Sequence, residues 1–442
     1  MESLYSNLFP RVDKLAWLAQ VRKELKDENA YESLRWSSPE GFVVEPYYTA
    51  EDLTNLPIAE IQSAQKATTG WLNAPQRRVD DEKLDNVALR DTLSRGADAL
   101  LLHLTRQTDI SRLLNGIKLS DTPVYFRVDT NTTDFIQALQ TVAPYQLKGG
   151  LLTDVSEATA QVTQLTANSP QFRTACVNSH SFHNAGATAT QELAFTIARL
   201  ADAYDQLTEA GLSAEELAPK TLLSVSVGTS YFVEIAKLRA LRVLWQRFIS
   251  AYGVTGSPLM LHAQTSTFYD ATATPYTNLL RSTTEAMAAV VGGCDILTVH
   301  PYDTVLGQSS NASEGDFSER IARNVSLLLK EESYLDKVAD PSAGSYYIES
   351  LTGQLLAAAW ALFLDVEKQG GFAKALASGF IASEIDKSYE AKVEAVRNGK
   401  VLVGVNKFRF DESPTVNPMT PSQSLAGAES LLAYRRLAES FE

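Results

Sequence analysis

Ile296-Leu297-Thr298-Val299-His300 is a short apolar run that ends on a histidine, and the chain repeats the device. His103 closes Ala99-Leu100-Leu101-Leu102, His180 and His183 follow Ala175-Cys176-Val177, and His262 stands at the C-terminal edge of Pro258-Leu259-Met260-Leu261. All five histidines therefore lie at, or just past, the end of such a run. Short continuous apolar runs read as strands buried on both faces. If these strands are parallel, the imidazoles gather at one end of a single sheet, where barrels and open α/β sheets keep their ligands. Buried histidines bonded to backbone carbonyls produce the same pattern, so the runs mark a place before they mark a chemistry.

Outward from these runs a rhythm is visible. Strand-like segments recur at 98–103, 123–128, 148–153 and 173–178, and further ones follow at 221–227, 258–263 and 295–300. Helical periodicity fills the gaps at 132–142, 157–165, 189–210 and 231–251. Strands alternating with helices imply βαβ units and a parallel sheet. Seven strands are visible, and the eighth is expected at 346–349 or 401–405. The expected fold is α/β, a (β/α)8 TIM barrel over 71–410. A doubly wound open sheet is the alternative, but no Gly-x-Gly-x-x-Gly follows the first strand.

Residues 1–70 read as an extension that wraps the barrel. Val12, Leu15, Leu18 and Val21 have helical spacing, and the aromatic, proline-marked stretch with Trp36, Pro39, Pro46, Tyr47 and Tyr48 follows. Residues 411–442 read as a linker and a short terminal helix. Positions 411–424 are rich in Pro, Ser, Thr and Asn, which is linker chemistry. Leu431, Tyr434, Leu437 and Phe441 then share one broad helical face. A chain that runs through a linker into one helix is expected to be followed by something further.

Composition excludes several classes. Thirty-nine Lys and Arg against 53 Asp and Glu leave a net charge of -14, the wrong sign for a phosphate-backbone partner. No 18-residue apolar run suggests a membrane span, and Met1-Glu2-Ser3-Leu4 lacks the layout of a secretory signal. Cys176 and Cys294 each sit within an apolar run without a second thiol nearby. They read as core residues of a cytoplasmic protein, not as a disulfide or a zinc set.

Seven blocks in register carry a family resemblance. Asn184-Ala-Gly-Ala-Thr-Ala-Thr-Gln-Glu-Leu-Ala-Phe-Thr-Ile-Ala198 resembles the Gln-Glu-Ala-Gly-Ala-Thr…Glu-Leu-Ala stretch of methylmalonyl-CoA mutases. Phe232-Val-Glu-Ile-Ala-Lys-Leu-Arg-Ala-Leu-Arg-Val-Leu-Trp245, His262-Ala-Gln-Thr-Ser266 and Phe317-Ser-Glu-Arg-Ile-Ala-Arg-Asn324 follow in the family's order. Glu331-Glu-Ser333, Asp340-Pro-Ser-Ala-Gly-Ser-Tyr-Tyr-Ile-Glu349 and Gly404-Val-Asn-Lys-Phe-Arg409 complete the set. The resemblance implies a (β/α)8 barrel whose axis admits the pantetheine arm of coenzyme A. It also implies adenosylcobalamin at the barrel's C-terminal face, carried on a separate C-terminal domain.

The departures from the family pattern point to one of its branches. Where active chains have a substrate-contacting Tyr-His pair, this sequence has His180 and Ser181, and His183-Asn184 replaces the Gln-Glu before Ala-Gly-Ala. Met260 stands where an Arg helps to hold coenzyme A, and nothing near 68–73 matches the segment with the radical-steering tyrosine. No Asp-x-His-x-x-Gly, the cobalt-ligating loop, occurs. Gly70-Trp71 and Arg436-Leu-Ala-Glu-Ser-Phe-Glu442 resemble the small, catalytically silent subunit of heterodimeric mutases.

Three functions follow as expectations. The first is the small, non-catalytic subunit of a methylmalonyl-CoA mutase. Its partner is then a catalytic large subunit that binds the adenosylcobalamin, with homodimers in isolation and acyl-CoA binding weak or absent. The second is a catalytic acyl-CoA mutase barrel served by a separate cobalamin-binding chain. The third is a metal-dependent barrel hydrolase, which lacks acidic ligands around His180 and His183. His180, Ser181 and His183 are degenerate catalytic positions. His262, Gln264 and His300, at strand ends, are substrate-pocket candidates. So are Arg239 and Arg242, which share a helix face and in the family approach coenzyme A phosphates or ribose; a solvated face or a salt bridge to Glu234 is the alternative. No metal and no nucleic acid or membrane partner is expected.

Overall fold

The computed structural model describes residues 12–26, 29–307, 312–409 and 432–442. Eight parallel strands close into a barrel. In chain order they are β1 (Leu72–Asn73 continued by Gln76–Arg78), β2 (Leu100–Leu104), β3 (Val124–Val128) and β4 (Gly149–Leu151). The others are β5 (Phe172–Arg173 continued by Ala175–Asn178), β6 (Thr221–Val227), β7 (Met260–Thr265) and β8 (Ile296–Thr298). β1 closes the ring, with Leu72 opposite Ile296 of β8 and Gln76 opposite Leu101 of β2.

The eighth strand is thus β1 and neither of the segments expected from the sequence. Residues 346–349 open the helix Tyr346–Lys368, whose first turn is capped by Ser345 accepting from Ile348 N–H. Residues 401–405 form a loop with a single bridge, Val403 to Lys407. β1 is hard to read because Pro75 has no N–H to give the ladder. Arg77, which looks like a surface residue, is spent on ion pairs to Asp85 at 2.6 Å and Glu319 at 3.1 Å.

Alternation along each strand sorts side chains between the helical layer and the axis. Leu223, Val225, Val227, Leu261, Ala263, Leu297 and Val299 join the large core under the helices. On the axis, Leu101, Tyr125, Cys176, Leu222 and Ile296, with Leu72 and Met260, form an apolar plug toward the N-terminal half. Each fully buried Leu or Ile there stabilises the fold by about 1.5–3 kcal/mol. Nearer the C-terminal ends the inward positions turn polar: His103, Arg127, Ser224, Ser226, His262, Gln264, Thr298 and His300.

The helix Tyr346–Lys368 is long and apolar enough to cross a membrane by length and composition, but 56% of its most apolar stretch is buried inside the protein. It packs against the helices Ala189–Glu209 and Tyr231–Ala251, which makes it a core helix of the outer layer.

Outside the barrel, the helix Lys14–Leu25 is capped by Asp13 and buries no residue. Trp36–Ser37 pairs antiparallel with Val43–Val44. Val44, Phe42 and Tyr48 pack onto the main core, and Thr190 N–H donates to the Glu40 carboxylate at 2.8 Å. At the other end, the helix expected over 425–441 is not formed among the described residues. Residues 432–442 run as an extended strap with one 3-10 turn, Ala438–Ser440, and 425–431 lie outside the described residues. Docking replaces helical bonds: Arg435 N–H donates to Asn184 O and Leu437 N–H to Phe268 O, both at 2.8 Å.

Candidate functional site at the C-terminal end of the barrel

His262 and His180 are joined by serines. Ser224 Oγ lies 2.6 Å from His262 Nδ1 and 2.7 Å from His180 Nε2, while His180 Nδ1 lies 2.8 Å from Ser226 Oγ. His262 Nε2 stands 3.0 Å from Thr298 Oγ1, which donates to Ala74 O at 2.7 Å. Burial is the main cause that pushes His262 down to about 3 and His300 to about 4, with Arg127 adding to both. His180 is held well below its ordinary value for the same reason. These imidazoles are neutral at physiological pH.

That neutrality has a consequence for stability. The unfolded chain takes up these protons below about pH 6.5, whereas the folded chain resists until about 4 for His300 and 3 for His262. Their contribution to stability is therefore fully present above pH 6.5 and drains away as pH falls toward 3. The urea midpoint is expected to carry this loss as a downward slope from pH 7 to 5, opposed by Asp270, raised to about 7 by burial, and by Glu285, also raised by burial. The His262→Gln and His300→Gln variants are expected to flatten that slope; an unchanged slope in both would count against this origin.

His183 belongs to a different network. Its Nε2 is 2.8 Å from Ser266 Oγ and its Nδ1 is 3.2 Å from Glu192 Oε2. Glu192 also receives Lys237 Nζ at 2.7 Å and Ser179 Oγ at 2.5 Å. Ser266, His183 and Glu192 stand in nucleophile, base and acid order, but Ser266 is only 2% exposed. Its Oγ accepts from Phe268 N–H at 3.1 Å, and its own N–H is taken by Glu285. The group is scaffold. With both ring nitrogens of His180 and of His183 committed to hydroxyls and a carboxylate, the His180-x-x-His183 spacing has no converging lone pairs to offer an ion. No group of three or more metal-ligating residues exists among the described residues.

Arg239 and Arg242 are placed elsewhere. Both are buried in the outer layer. Arg239 pairs with Asp340 and with Glu349 at 2.8 Å. Arg242 pairs with Asp295 at 2.9 Å and donates to Leu259 O and Gly293 O, in the segments that enter β7 and β8. They tie helix to barrel and do not face the axis, and Arg242 lines a separate cleft with Lys66, Trp245 and Pro258. The helix face is not solvated either, and the partner of Glu234 is Lys237 at 2.5 Å. Gln264 is half-buried and the His300 ring is buried, and neither side chain bonds to a described residue, whereas His300 N–H donates to Thr265 Oγ1 at 2.8 Å.

A cleft of about 400 Å³ opens beside the strand ends, lined by Arg127, Thr153, Asn178, Ser181, Arg199 and Tyr434 among others. Ser181 is there as expected of a degenerate site position. Neither Arg127 nor Tyr434 is a site candidate in the sequence, where Tyr434 figures only on the expected terminal helix. Arg127 is marked only by its inward register two residues after Tyr125, and Tyr434 reaches the cleft because the strap folds back.

The strap also bears on the cobalamin that the resemblance implies. The C-terminal face is crossed by residues 432–442, and the cleft left beside it suits a small molecule rather than a corrin ring. The residues described do not fit that group at this face.

Comparison with known proteins agrees with the barrel. Residues 151–436 match the family model described as methylmalonyl-CoA mutase. The methylmalonyl-CoA mutase small subunit of Porphyromonas gingivalis is 34% identical, over 92% of this chain and 71% of its own length. A probable methylmalonyl-CoA mutase small subunit of Mycobacterium bovis is 29% identical over 89% of this chain and 70% of its own. The methylmalonyl-CoA mutase of Escherichia coli is 35% identical over 61% of this chain but only 38% of its own length. With a family match that runs from the end of β4 through β8 into the strap, and a small-subunit relative aligned over nearly the whole chain, the protein belongs to the methylmalonyl-CoA mutase family.

Proposed function

We propose that this chain is the small, non-catalytic subunit of a heterodimeric, adenosylcobalamin-dependent methylmalonyl-CoA mutase, which interconverts succinyl-CoA and methylmalonyl-CoA. In this reading it stabilises a catalytic large subunit, and that subunit binds the cofactor. The observation that carries the reading is the state of the barrel wall. His180 and His262, at strand ends where a substrate would be held, spend both ring nitrogens on neighbouring hydroxyls. The names of the P. gingivalis and M. bovis relatives support it. The test is co-expression with a large mutase subunit: the two chains are expected to co-purify, and this chain alone with adenosylcobalamin is expected to give no turnover. Turnover without the partner would overturn it.

Acyl-CoA binding is expected to be weak or absent. Met260 sits on the axis within the apolar plug, where a cation would otherwise bond a phosphate for about 1.5–3 kcal/mol. Calorimetric titration of coenzyme A into the isolated chain checks this, and micromolar affinity would contradict it. The catalytic alternative draws on Gln264, whose side chain is half-buried at the strand end with no bond to a described residue. Mutase turnover on adding only a cobalamin-binding chain would favour it.

A further inference from the structure

The strap lies along the loop that follows β7 and touches every second residue of it. Leu437 N–H donates to Phe268 O at 2.8 Å and Arg436 Nη1 to Asp270 O at 3.1 Å. Glu442 accepts from Thr272 N–H at 2.5 Å and from Thr272 Oγ1 at 2.6 Å. Asp270 is caught in the middle of this seam, 4% exposed, and its carboxyl accepts no hydrogen bond among the described residues. Arg281 and Glu285 face it from the helix Thr277–Val291 and Arg436 from the strap, with Glu442 near both arginines and Glu234 near Glu285. The arginines are spent elsewhere. Arg281 donates to Asn278 Oδ1 at 2.7 Å and Val403 O at 2.6 Å, and Arg436 pairs with Glu442 at 3.1 Å. Glu285 is fully buried, with one oxygen on Ser266 N–H and the other without a partner.

A carboxyl sealed in this way is tolerated with its proton and resisted without it. We propose that the strap is a proton-controlled latch over the C-terminal face of the barrel: it closes on a protonated Asp270 and slackens when that carboxyl ionises. Burial pushes Asp270 up to about 7, against the pull of Arg281 and Arg436. A released strap returns the group to water and to its usual range of about 4. The open form therefore holds the proton less tightly, so the latch loosens as pH rises from about 4 to about 7 and is level above that. Glu442 works in the opposite sense at lower pH. Burial opposes its charge, yet Thr272 and Arg436 hold it below its ordinary value, so its clasp fails only in stronger acid. The same strap carries Tyr434, which hydrogen-bonds Arg127 in the cleft wall, and Arg435, which pairs with Asp386 and lies 4.6 Å over the Tyr389 ring. Opening the latch thus uncovers the cleft. The device does not depend on the mutase reading.

The test is hydrogen exchange by mass spectrometry on the full chain, reading residues 432–442 and β6 at about pH 5.5 and about pH 8, each corrected for intrinsic rate. The opening equilibrium of the strap is expected to rise by about tenfold or more between the two, and by more than that of β6. Asp270→Asn keeps the shape and cannot ionise. It is expected to hold the strap at the higher pH as firmly as the unaltered chain does at the lower. Glu442→Gln is expected to loosen the strap at both while keeping the rise, and it reports on the seam even if Asp270→Asn does not fold. Strap opening that ignores pH, or that moves only in step with β6, overturns the proposal. So does a rise that the folded Asp270→Asn variant retains, or a strap that Glu442→Gln leaves as firm as before.

Discussion

Replacing Trp36 and Tyr47 together by alanine is expected to weaken association with a large mutase subunit by two to three orders of magnitude, about 3–4 kcal/mol. The two rings are 45% and 47% exposed, in an extension that also exposes Val12, Leu15 and Val43. Tyr47 is braced by Trp17, with ring centroids 4.8 Å apart, so its ring is held out at little entropic cost. Large, braced aromatics are the side chains from which interface energy mostly comes. Removing residues 1–48 should abolish association too, but that change also strips Val44 and Phe42 from the main core. The point variants are the cleaner measurement. Equal affinity of the double variant, by sedimentation or surface-bound titration, would place the interface elsewhere.

Lys237→Met is expected to destabilise the chain by about 3–5 kcal/mol, the usual effect of removing one member of a buried ion network. Lys237 Nζ is fully enclosed and holds Glu192 at 2.7 Å, Glu234 at 2.5 Å and Ser226 O at 2.7 Å. Burial alone would drive this ammonium down, yet the two carboxylates outweigh it and hold it above its ordinary value. Burial likewise opposes ionised Glu192, and Lys237 with His183 overcomes it. Without the lysine, two carboxylates are left facing each other out of water. The double variant Lys237→Met with Glu192→Gln should regain part of the loss. Urea denaturation measures both, and a loss below about 1 kcal/mol, the scale of an exposed pair, would show the network to be solvated.

Most of the barrel was legible because β2 to β8 all fall in short apolar runs, the mark of strands covered on both sides. β1 was not, since a proline breaks it and its arginine is neutralised by residues far along the chain. The terminal helix failed for a related reason. The spacing of Tyr434, Leu437 and Phe441 suits a helix, but Leu437 finds Phe268, Val393 and Val396 in an extended path, and tertiary packing decided the conformation. Within the site, His180 and His262 converge as their strand-end positions imply. Arg239 and Arg242 do not, because register on a helix says which residues share a face and not whether that face meets the axis or a neighbouring helix.

The histidine and serine line across β6, β7 and β8 has a direction. Thr298 gives its one proton to Ala74 O, so His262 Nε2 must donate to Thr298, and a neutral ring then leaves Nδ1 bare. Ser224 must donate into that lone pair, which obliges His180 Nε2 to donate to Ser224 and Ser226 to donate to His180 Nδ1. A single backbone carbonyl on β1 thereby dictates the tautomer of two imidazoles, both Nε2–H. Reversing any one bond requires reversing all of them, and the carbonyl at the end can never become a donor. The line is a one-way street: it can rank the protons it already has, but it has no second arrangement in which to pass one along.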